Sequence, residues 1–404
     1  MAIQSSVSVD IAYGVETTFG TAATATAGKA LRRVSTSLTT QKESFQSNEV
    51  RRDLQVSDLR HGMRSARGSI EGELSIQSYD DLLEAAFGGT WTAGVSVDPD
   101  DFATGVTVTT VGETSLLTFA GAGSLLTAGF KVGDVVRCTG LTAAANNNLN
   151  LRIVALDATA MTVYPAITAQ AQQAEDWAVA VAGKKLLLGT TKRSFTIENI
   201  YTDIDESEQF TGCRINGVSI NCQPNGMVTS TFDVLGQNGS LRKGAQSPYF
   251  TTIADAPNTE IVSGLNGALR LAGQEVGIVT AFDLSLTNNM SVAGVVGKNV
   301  SPDVFAGRKV LTGNVSAYLQ DGSLIEAFLD EEEVDIVAQL LTASGSPQDF
   351  ITLSMQRVKF SSNTKTIGAE GGVIAQFAYQ ALLANGGSGT NLDATTIAIQ
   401  RSNS

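Results

Sequence analysis

The stretch RGSIEGELSIQSYDDLLEAAF, residues 67–87, combines a strand pattern with a helix pattern. Its first part alternates strictly, so that apolar and polar side chains face opposite ways: Ile70, Leu74 and Ile76 on one face, Ser69, Glu71, Glu73 and Ser75 on the other. This period of two, with one polar face, is typical of a half-buried antiparallel sheet. The second part predicts a short helix with Ser78 as N-cap, Asp81 at the capping-box position, and Gly88 or Gly89 ending it.

A second stretch, TGNVSAYLQDGSLIEAF at residues 312–328, repeats this order of strand, turn and helix. Here Ser323 is the predicted cap, with Glu326 three residues on. The acidic residues 330–333 suit a helix C-terminus poorly, so we expect this helix to end near Leu329. The repeat predicts two halves of one sheet structure, each with a flanking helix. The alternative is a chance similarity between two strand–helix units.

Further strands are indicated by alternation in RSFTIENI, AFDLSLTN and FITLSMQRVKF. The stretch CRINGVSINCQPNGMVTSTFDVLG, residues 213–236, predicts two strands joined by a turn at Pro224, Asn225 and Gly226. Few segments have a helical pattern, and the fold class expected is therefore mainly β.

Residues 92–182 differ in texture from the sequence on either side, being rich in Ala and Thr with Gly and Asn turns. We interpret them as a small inserted β-domain containing three short strands. The remaining residues, 1–91 and 183–404, then form one discontinuous core domain. Insertions of this kind are tolerated where the two ends of a loop lie close together.

Charge and composition exclude several classes of protein. The 404 residues include 40 acidic and 27 basic side chains, and a net charge of -13 argues against a duplex-DNA binder. The N-terminus lacks a signal-peptide pattern, and no apolar run of about 18 residues predicts a membrane helix. Three cysteines do not make a disulfide framework.

The sequence offers little for catalysis. Its single histidine, His61, cannot form a His-rich metal site, and no nucleophile-elbow pattern surrounds the neighbouring Ser65. The acidic runs 98–101 and 330–333 lack the spacing of a calcium loop. We therefore expect no enzyme activity, cofactor or metal, and we interpret His61 as a hydrogen-bonding or interface residue.

Four segments, residues 10–21, 29–91, 210–236 and 310–330, resemble in collinear order the tail tube protein of long, non-contractile-tailed bacteriophages. The resemblance covers the chain except about residues 92–182. It implies a tail-tube-type β-sandwich or barrel subunit with a flanking short helix. It further implies hexameric rings stacked into a tube, in which four strands per subunit line a lumen that holds the tape measure protein and later passes DNA. The location implied is the virion tail, assembled in the host bacterial cytoplasm beside tail terminator and distal tail proteins.

The resemblance also suggests roles for two groups of residues. The expected lumen-facing residues are Ser69, Glu71, Glu73, Ser75, Asn314 and Ser316. In this family the long loop before the first such strand, here residues 45–67, reaches across to neighbours. The expected subunit-interface residues are Arg51, Arg52, Arg60, His61, Arg64 and Arg67. Arginine suits bidentate pairing with carboxylates, and the acidic residues 330–333 of an adjacent subunit are candidate partners.

Other classes of protein remain open at this point. A cell-surface adhesin fits the many short strands, but it does not fit the missing signal peptide. A tail terminator or a capsid decoration protein would also be a β-rich protein of the virion. We expect the insertion to lie on the tube exterior, since a domain of that size would obstruct a hole sized for DNA.

Overall fold

The computed structural model of the chain describes residues 3–271, 274–275, 279–368 and 370–403. Strands hold 50% of the residues and helices 6%, which confirms the expected mainly β fold. The strands before the insertion are β1 (Val9–Val15), β2 (Gly28–Ala30), β3 (Ser35–Thr36), β4 (Thr39–Gln46), β5 (Leu59–Glu73) and β6 (Thr92–Ala93). The helices are α1 (Asp80–Phe87), α2 (Leu125–Ala128) and α3 (Ser323–Leu329), with 3₁₀ turns at Ala144–Asn146 and Gly244–Gln246.

Within the insertion lie β7 (Ser96–Val97), β8 (Gly105–Val111), β9 (Thr114–Ala120), β10 (Val135–Thr139), β11 (Leu151–Leu156), β12 (Ala160–Tyr164), β13 (Gln170–Gln173) and β14 (Ala178–Val181). After it come β15 (Lys184–Leu187), β16 (Phe195–Tyr201), β17 (Glu206–Cys222), β18 (Thr229–Gly236), β19 (Asn238–Lys243), β20 (Ile253–Ala254), β21 (Ser263–Leu271) and β22 (Gln274–Glu275). The last strands are β23 (Val279–Thr287), β24 (Ser291–Val292), β25 (Val304–Phe305), β26 (Val310–Tyr318), β27 (Val334–Gly345), β28 (Gln348–Thr366), β29 (Ile374–Ala381) and β30 (Ala398–Arg401).

Eight strands pair side by side, all antiparallel, in the order β4, β5, β18, β17, β23, β26, β29, β28. In the first four strands and in the last four, the order across the sheet is the same: the first, second, fourth and third strand of the set in chain order. We call the first set, with β3, β16 and α1, unit 1, and the second set, with β27 and α3, unit 2. Strands β16 and β27 occupy matching positions, each beside the N-terminal part of the long strand β17 or β28.

The two units also share their strand register. The pairing of β5 with β18 runs to Ala66 and Gly236, and the pairing of β26 with β29 runs to the corresponding Leu311 and Ala381. The ladder between β17 and β18 shifts between Ile215 and Gly217, and the ladder between β28 and β29 shifts at the matching place, between Phe360 and Ser362. Because a one-residue bulge in the same place is a specific feature, the repeat extends to the whole unit.

The glycine shared by the two repeated sequences has a steric cause. A Cβ at Gly68 would lie 2.5 Å from the carbonyl oxygen of Ser37, and one at Gly313 would lie 2.1 Å from that of Asp283. Ser37 and Asp283 occupy equivalent places beside β5 and β26. Only glycine permits so close an approach of the neighbouring backbone.

A second layer of strands covers the apolar face of the eight-stranded sheet. In unit 1 it contains β2, β1 and β16; near unit 2 it contains β27, β30 and β15. One continuous apolar core lies between the layers and includes Ile197 of β16, Phe232 of β18 and Phe377 of β29. Burial of this core is the main contribution to stability, because apolar surface leaves water there.

Both predicted helices form, but their N-termini differ from the prediction. Helix α1 begins after Tyr79 with no side-chain cap, because the Ser78 hydroxyl accepts a hydrogen bond from Ser75 Oγ at 2.7 Å instead. Its C-terminal residue Gly88 adopts the left-handed conformation, as expected. Helix α3 ends at Leu329 as predicted, but Gly322 rather than Ser323 is its N-cap.

Residues 96–181 form a separate eight-stranded sheet with its own apolar core around Phe119 and Trp177. The three short strands expected there are thus an underestimate. The sheet lies against the start of β28, where Arg137 donates to the carbonyl of Gln348 at 3.2 Å, and against β30 and β15 beside it. Gln400 bonds both the N–H and the C=O of Val135 at 2.7 Å, and the buried Lys185 ammonium pairs with Asp134 and Asp393. Among the described residues, none of the helices is long and apolar enough to cross a membrane.

Candidate assembly surfaces

One face of the eight-stranded sheet is solvent-accessible and mostly polar. Register places one row of side chains across seven of its strands, none of them buried: Glu73, Thr229, Asn221, Asp283, Asn314, Ala378 and Ser362. A nearby row on the opposite face is entirely buried: Ile70, Phe232, Val218, Leu286, Leu311, Ala381 and Val358. The polar side chains of β5 and β26 therefore lie on one shared surface.

The polar face has an acidic middle. Glu71, Glu73, Asp233 and Asp283 lie on it by register. Strands β18, β23, β26 and β29 contain no lysine or arginine. Of the residues expected in a lumen, Ser69, Glu71, Glu73, Asn314 and Ser316 share this face and keep partial exposure.

Ser75 does not share the polar face. Its side chain is 2% exposed, and its hydroxyl lies between Ser78 and the Arg32 guanidinium, 2.7 and 3.2 Å away. Strand β5 ends at Glu73, and the chain turns toward α1 there, which breaks the alternation that the sequence suggested. The polar face therefore does not include Ser75.

The arginine-rich stretch is mostly a strand rather than the long loop expected over residues 45–67. Strand β5 begins at Leu59 and pairs with β4 as a hairpin, from Gln46 opposite Leu59 to Thr39 opposite Arg67. Only residues 47–58 connect the two strands. The outer part of the hairpin has both faces in water, so its sequence has no apolar alternation from which a strand could be predicted. We call residues 42–64 arm 1.

The six expected interface residues all lie in or beside arm 1. Arg51 and Arg60 form ion pairs with Asp53 and Asp58 of the same connection, at 2.8 and 2.7 Å. Arg52, His61 and Arg67 are exposed. Arg64 is half-buried, and its Nε is shielded from solvent without a hydrogen-bond partner in the described part of the chain. The arginines are thus only partly neutralised within the single chain.

Unit 2 has an equivalent of arm 1, residues 288–309, which we call arm 2. Its short strands β24 and β25 pair Ser291 with Phe305, and the matching pair in arm 1 is Phe45 with Arg60. By the same alignment, Asn288 corresponds to Lys42, and Lys309 corresponds to Arg64. Arm 1 touches arm 2 at its base, where the Arg64 N–H donates to the carbonyl of Asn299 at 2.7 Å, and its outer part is exposed. Arm 2 lies folded against unit 1.

Arm 2 docks on unit 1 through the end of helix α1. The buried Asn288 amide donates to the carbonyl oxygens of Ala86 and Ile215, at 2.8 and 3.0 Å. The Lys309 ammonium donates to the carbonyls of Phe87 and Gly189. Desolvation lowers the pKa of Lys309 to about 8. Its position at a helix C-terminus, facing carbonyl oxygens, favours its charged form.

A second set of contacts holds the far strand of arm 2. Arg214 pairs with Asp303 at 2.8 Å and also donates to the carbonyl of Val304. The Val304 side chain is fully buried. Arg214 itself is 6% exposed, so this ion pair is shielded from water on the arginine side and is screened less by salt than an ordinary surface pair.

On unit 2 the surface that corresponds to this docking site is open. The equivalents of Ala86, Phe87, Arg214 and Ile215 line a pocket of about 410 Å³: Phe328, Leu329, Lys359 and Phe360. Acidic Glu331 and Glu332 complete its wall. Leu329 is 68% exposed, whereas the matching Phe87 is fully buried.

The edges of the eight-stranded sheet show the same difference. In unit 1, the C-terminal part of β17 pairs with β23, from Gly217 opposite Thr287 to Cys222 opposite Phe282. The matching part of β28, residues 362–366, pairs only with β29 among the described strands. At the other end of the sheet, β3 and β4 pair with β5 and with no other strand in the part of the chain that the structure describes. Unpaired backbone groups at both edges are competent to join further strands.

The sequence alone did not reveal the pocket or the two arms. Their equivalence rests on register, because Lys42 and Asn288, or Leu59 and Val304, share position but not residue type. The one available signal was the repeat of residues 67–87 at 312–328. Among the residues the structure describes, no group of three or more His, Cys, Asp or Glu is placed to hold a metal ion.

Comparison with known protein families gives a match over most of the chain. The family model described as "Phage tail tube protein" matches residues 7–381, which include both units and the insertion. No curated protein matches the chain.

Proposed function

The chain belongs to the phage tail tube protein family, and we propose that it assembles into stacked rings forming the tube of a non-contractile phage tail. This tube would be the conduit for DNA during ejection. The family resemblance implies six subunits per ring, each contributing one set of four lumen strands. Because this chain contains two such sets, units 1 and 2, we count each ring as six units around a lumen. The protein is thus a structural component of the virion tail.

The observation that carries this proposal is a sheet polar on one face, apolar on the other and unpaired at both edges. Closing such sheets edge to edge into a barrel removes the edges, which would otherwise aggregate. The polar face then becomes a water-filled lumen, and the apolar face remains in the core. A decoration protein or an adhesin has no comparable need for two open edges.

The lumen surface in this proposal includes Ser69, Glu71, Glu73, Asn314 and Ser316. Carboxylates repel phosphate, so DNA slides past this face without being held. The lumen holds the tape measure protein before ejection. DNA passes in transit with no specific binding.

Arm 1 is the proposed contact with neighbouring subunits. Its arginines are the positive half of pairs with acidic residues 330–333. At a subunit contact these arginines match an otherwise acidic surface.

Further partners follow from the same assignment. The tube ends contact the tail terminator and distal tail proteins, and assembly takes place in the host bacterial cytoplasm. The insertion, residues 92–182, lies on the tube exterior. Its contacts are with Gln348 at the start of β28 and with Gln400 of β30, away from the polar face, which supports that side. The chain itself inserts into no membrane.

Negative-stain electron microscopy of the purified protein tests the proposal. Concentrated protein is expected to form stacked rings or tubes with a central channel. Single rings that never stack would favour a tail terminator. A monomer that persists at high concentration would contradict the proposal and favour a decoration or surface protein.

A further inference from the structure

Inside one chain, unit 2 contacts unit 1 through two surfaces of unit 1. The equivalent surfaces of unit 2 have no such contact. Strand β23 joins the edge of β17, and arm 2 fills the surface formed by the end of α1 and by Arg214. The equivalent edge of β28 and the equivalent pocket beside α3 are open. The equivalent of β23 is the β3–β4 edge, residues 35–41, and the equivalent of arm 2 is arm 1.

We propose that the contact between units 1 and 2 is repeated between chains, head to tail, so that three chains make a ring. Arm 1 of one chain fills the unit 2 pocket of the next, and its β3–β4 edge pairs with residues 362–366. The number of chains rests on the proposed function, which requires six units per ring. The partner is thus a second copy of this chain.

Register predicts the pairs formed between chains. In the single chain Ser219 lies opposite Ser285, and the matching residues are Thr364 and Thr39. Thr364 of one chain is therefore opposite Thr39 of the next. Side chains in both pairs lie on the polar face, so the lumen surface continues unbroken from chain to chain.

The chemistry of arm 1 matches the pocket. Arg64, at the position of Lys309, reaches the carbonyl oxygens at the end of α3, where Glu331 and Glu332 add negative charge. A cation at a helix C-terminus is stabilising. Asp58, at the position of Asp303, meets Lys359 as Asp303 meets Arg214.

Apolar surface gives a second, independent argument. Leu59 is 55% exposed in the single chain, whereas Val304, its equivalent in arm 2, is fully buried. Leu329 in the pocket is 68% exposed. Both side chains leave water when arm 1 docks, and this burial favours association.

Barrel geometry limits the number of chains. One chain closed on itself would give an eight-stranded barrel, whose interior is filled by side chains and leaves no channel. Three chains supply about 24 strands, and with strands about 4.8 Å apart the backbone diameter is at least about 37 Å. A ring of six chains would instead contain twice that number of strands around its lumen.

Two measurements test the inference. Native mass spectrometry and electron microscopy of wild-type rings are expected to show three chains with pseudo-sixfold symmetry. In a Cys222→Ser background, the double variant Thr39→Cys, Thr364→Cys is expected to cross-link under oxidation into dimers and closed trimers. Thr39→Cys with Lys365→Cys is the matched control, because Lys365 points to the opposite face and should cross-link at least tenfold less.

The outcomes separate this inference from the proposed function. Tubes whose rings contain six chains would overturn the three-chain ring while leaving the tube assignment intact. Three-chain rings with equal cross-linking in both double variants would overturn the proposed register. Absence of rings and tubes from wild-type protein would contradict the proposed function, and the ring inference would fall with it.

Discussion

The side-chain amide of Asn288 lies 2.8 Å from the carbonyl oxygen of Ala86, joining the start of arm 2 to the last turn of helix α1. The same amide reaches the carbonyl of Ile215 at 3.0 Å. One side chain thus satisfies two backbone groups from two elements of unit 1. The equivalent position in arm 1 is Lys42, which is exposed and has no such role in the single chain.

The variant Asn288→Ala should destabilise the folded monomer by about 2 kcal/mol, because it leaves buried carbonyls without a donor. Urea unfolding followed by circular dichroism measures this. The matched variant Lys42→Ala should leave monomer stability within about 0.5 kcal/mol but weaken assembly. Equal loss of stability in both variants would contradict the difference in docking between the two arms.

The double variant Arg60→Glu, Arg64→Glu should abolish tube formation while the monomer melts as the wild type does. Reversal of charge places carboxylates beside acidic Glu331 and Glu332, where like charges repel. Arg64→Glu alone should have the larger effect, because Arg64 corresponds to the docked Lys309. Sedimentation of assembled tubes measures the loss. Lys243→Glu, on an exposed residue outside arm 1, is the control; normal tubes from the double variant would exclude this interface.

Replacing Glu71 and Glu73 by lysine should slow or block DNA ejection from assembled virions. The lysines would hold phosphate on the surface that DNA must pass. Ejection triggered in vitro, followed by a DNA-binding dye at several salt concentrations, measures the rate; high salt should partly restore it. Asp98→Lys, Asp100→Lys in the insertion makes the same charge change away from the sheet, and we expect normal ejection there. Normal ejection from virions that carry both lysines would contradict the assignment of this face to the lumen.

Deletion of residues 92–182 should leave tube formation intact. Strand β6 pairs with β15 at the base of the insertion, Thr92 opposite Lys185, so the flanking residues Trp91 and Gly183 are close enough for a short Gly/Ser linker to join them. The monomer should melt at a lower temperature, because buried Gln400 and Phe350 lose their cover. Differential scanning calorimetry and electron microscopy check both parts. A well-folded deletion variant without tubes would show that the insertion is needed for assembly.

Much of the fold could be predicted from local patterns in the chain. The alternation in β5 and β26, the Pro224–Gly226 turn between β17 and β18, and the helix end at Leu329 depend on interactions within a few residues. The repeat of strand and helix was visible for the same reason. Ser75 and Ser78 were misread because a hydrogen bond between them replaces both the cap and the outward orientation.

The sequence by itself determined the class of fold, the polar face and the positions of the repeated strand and helix, because alternation and capping act over short distances. Only the tertiary structure decided that two whole units share one register, that arm 2 is docked, and that the pocket beside α3 is open. Strand pairing joins residues far apart in the chain, and Lys42 and Asn288 show that equivalent places need not carry similar side chains. Equivalence of position is therefore visible only once the strands are paired.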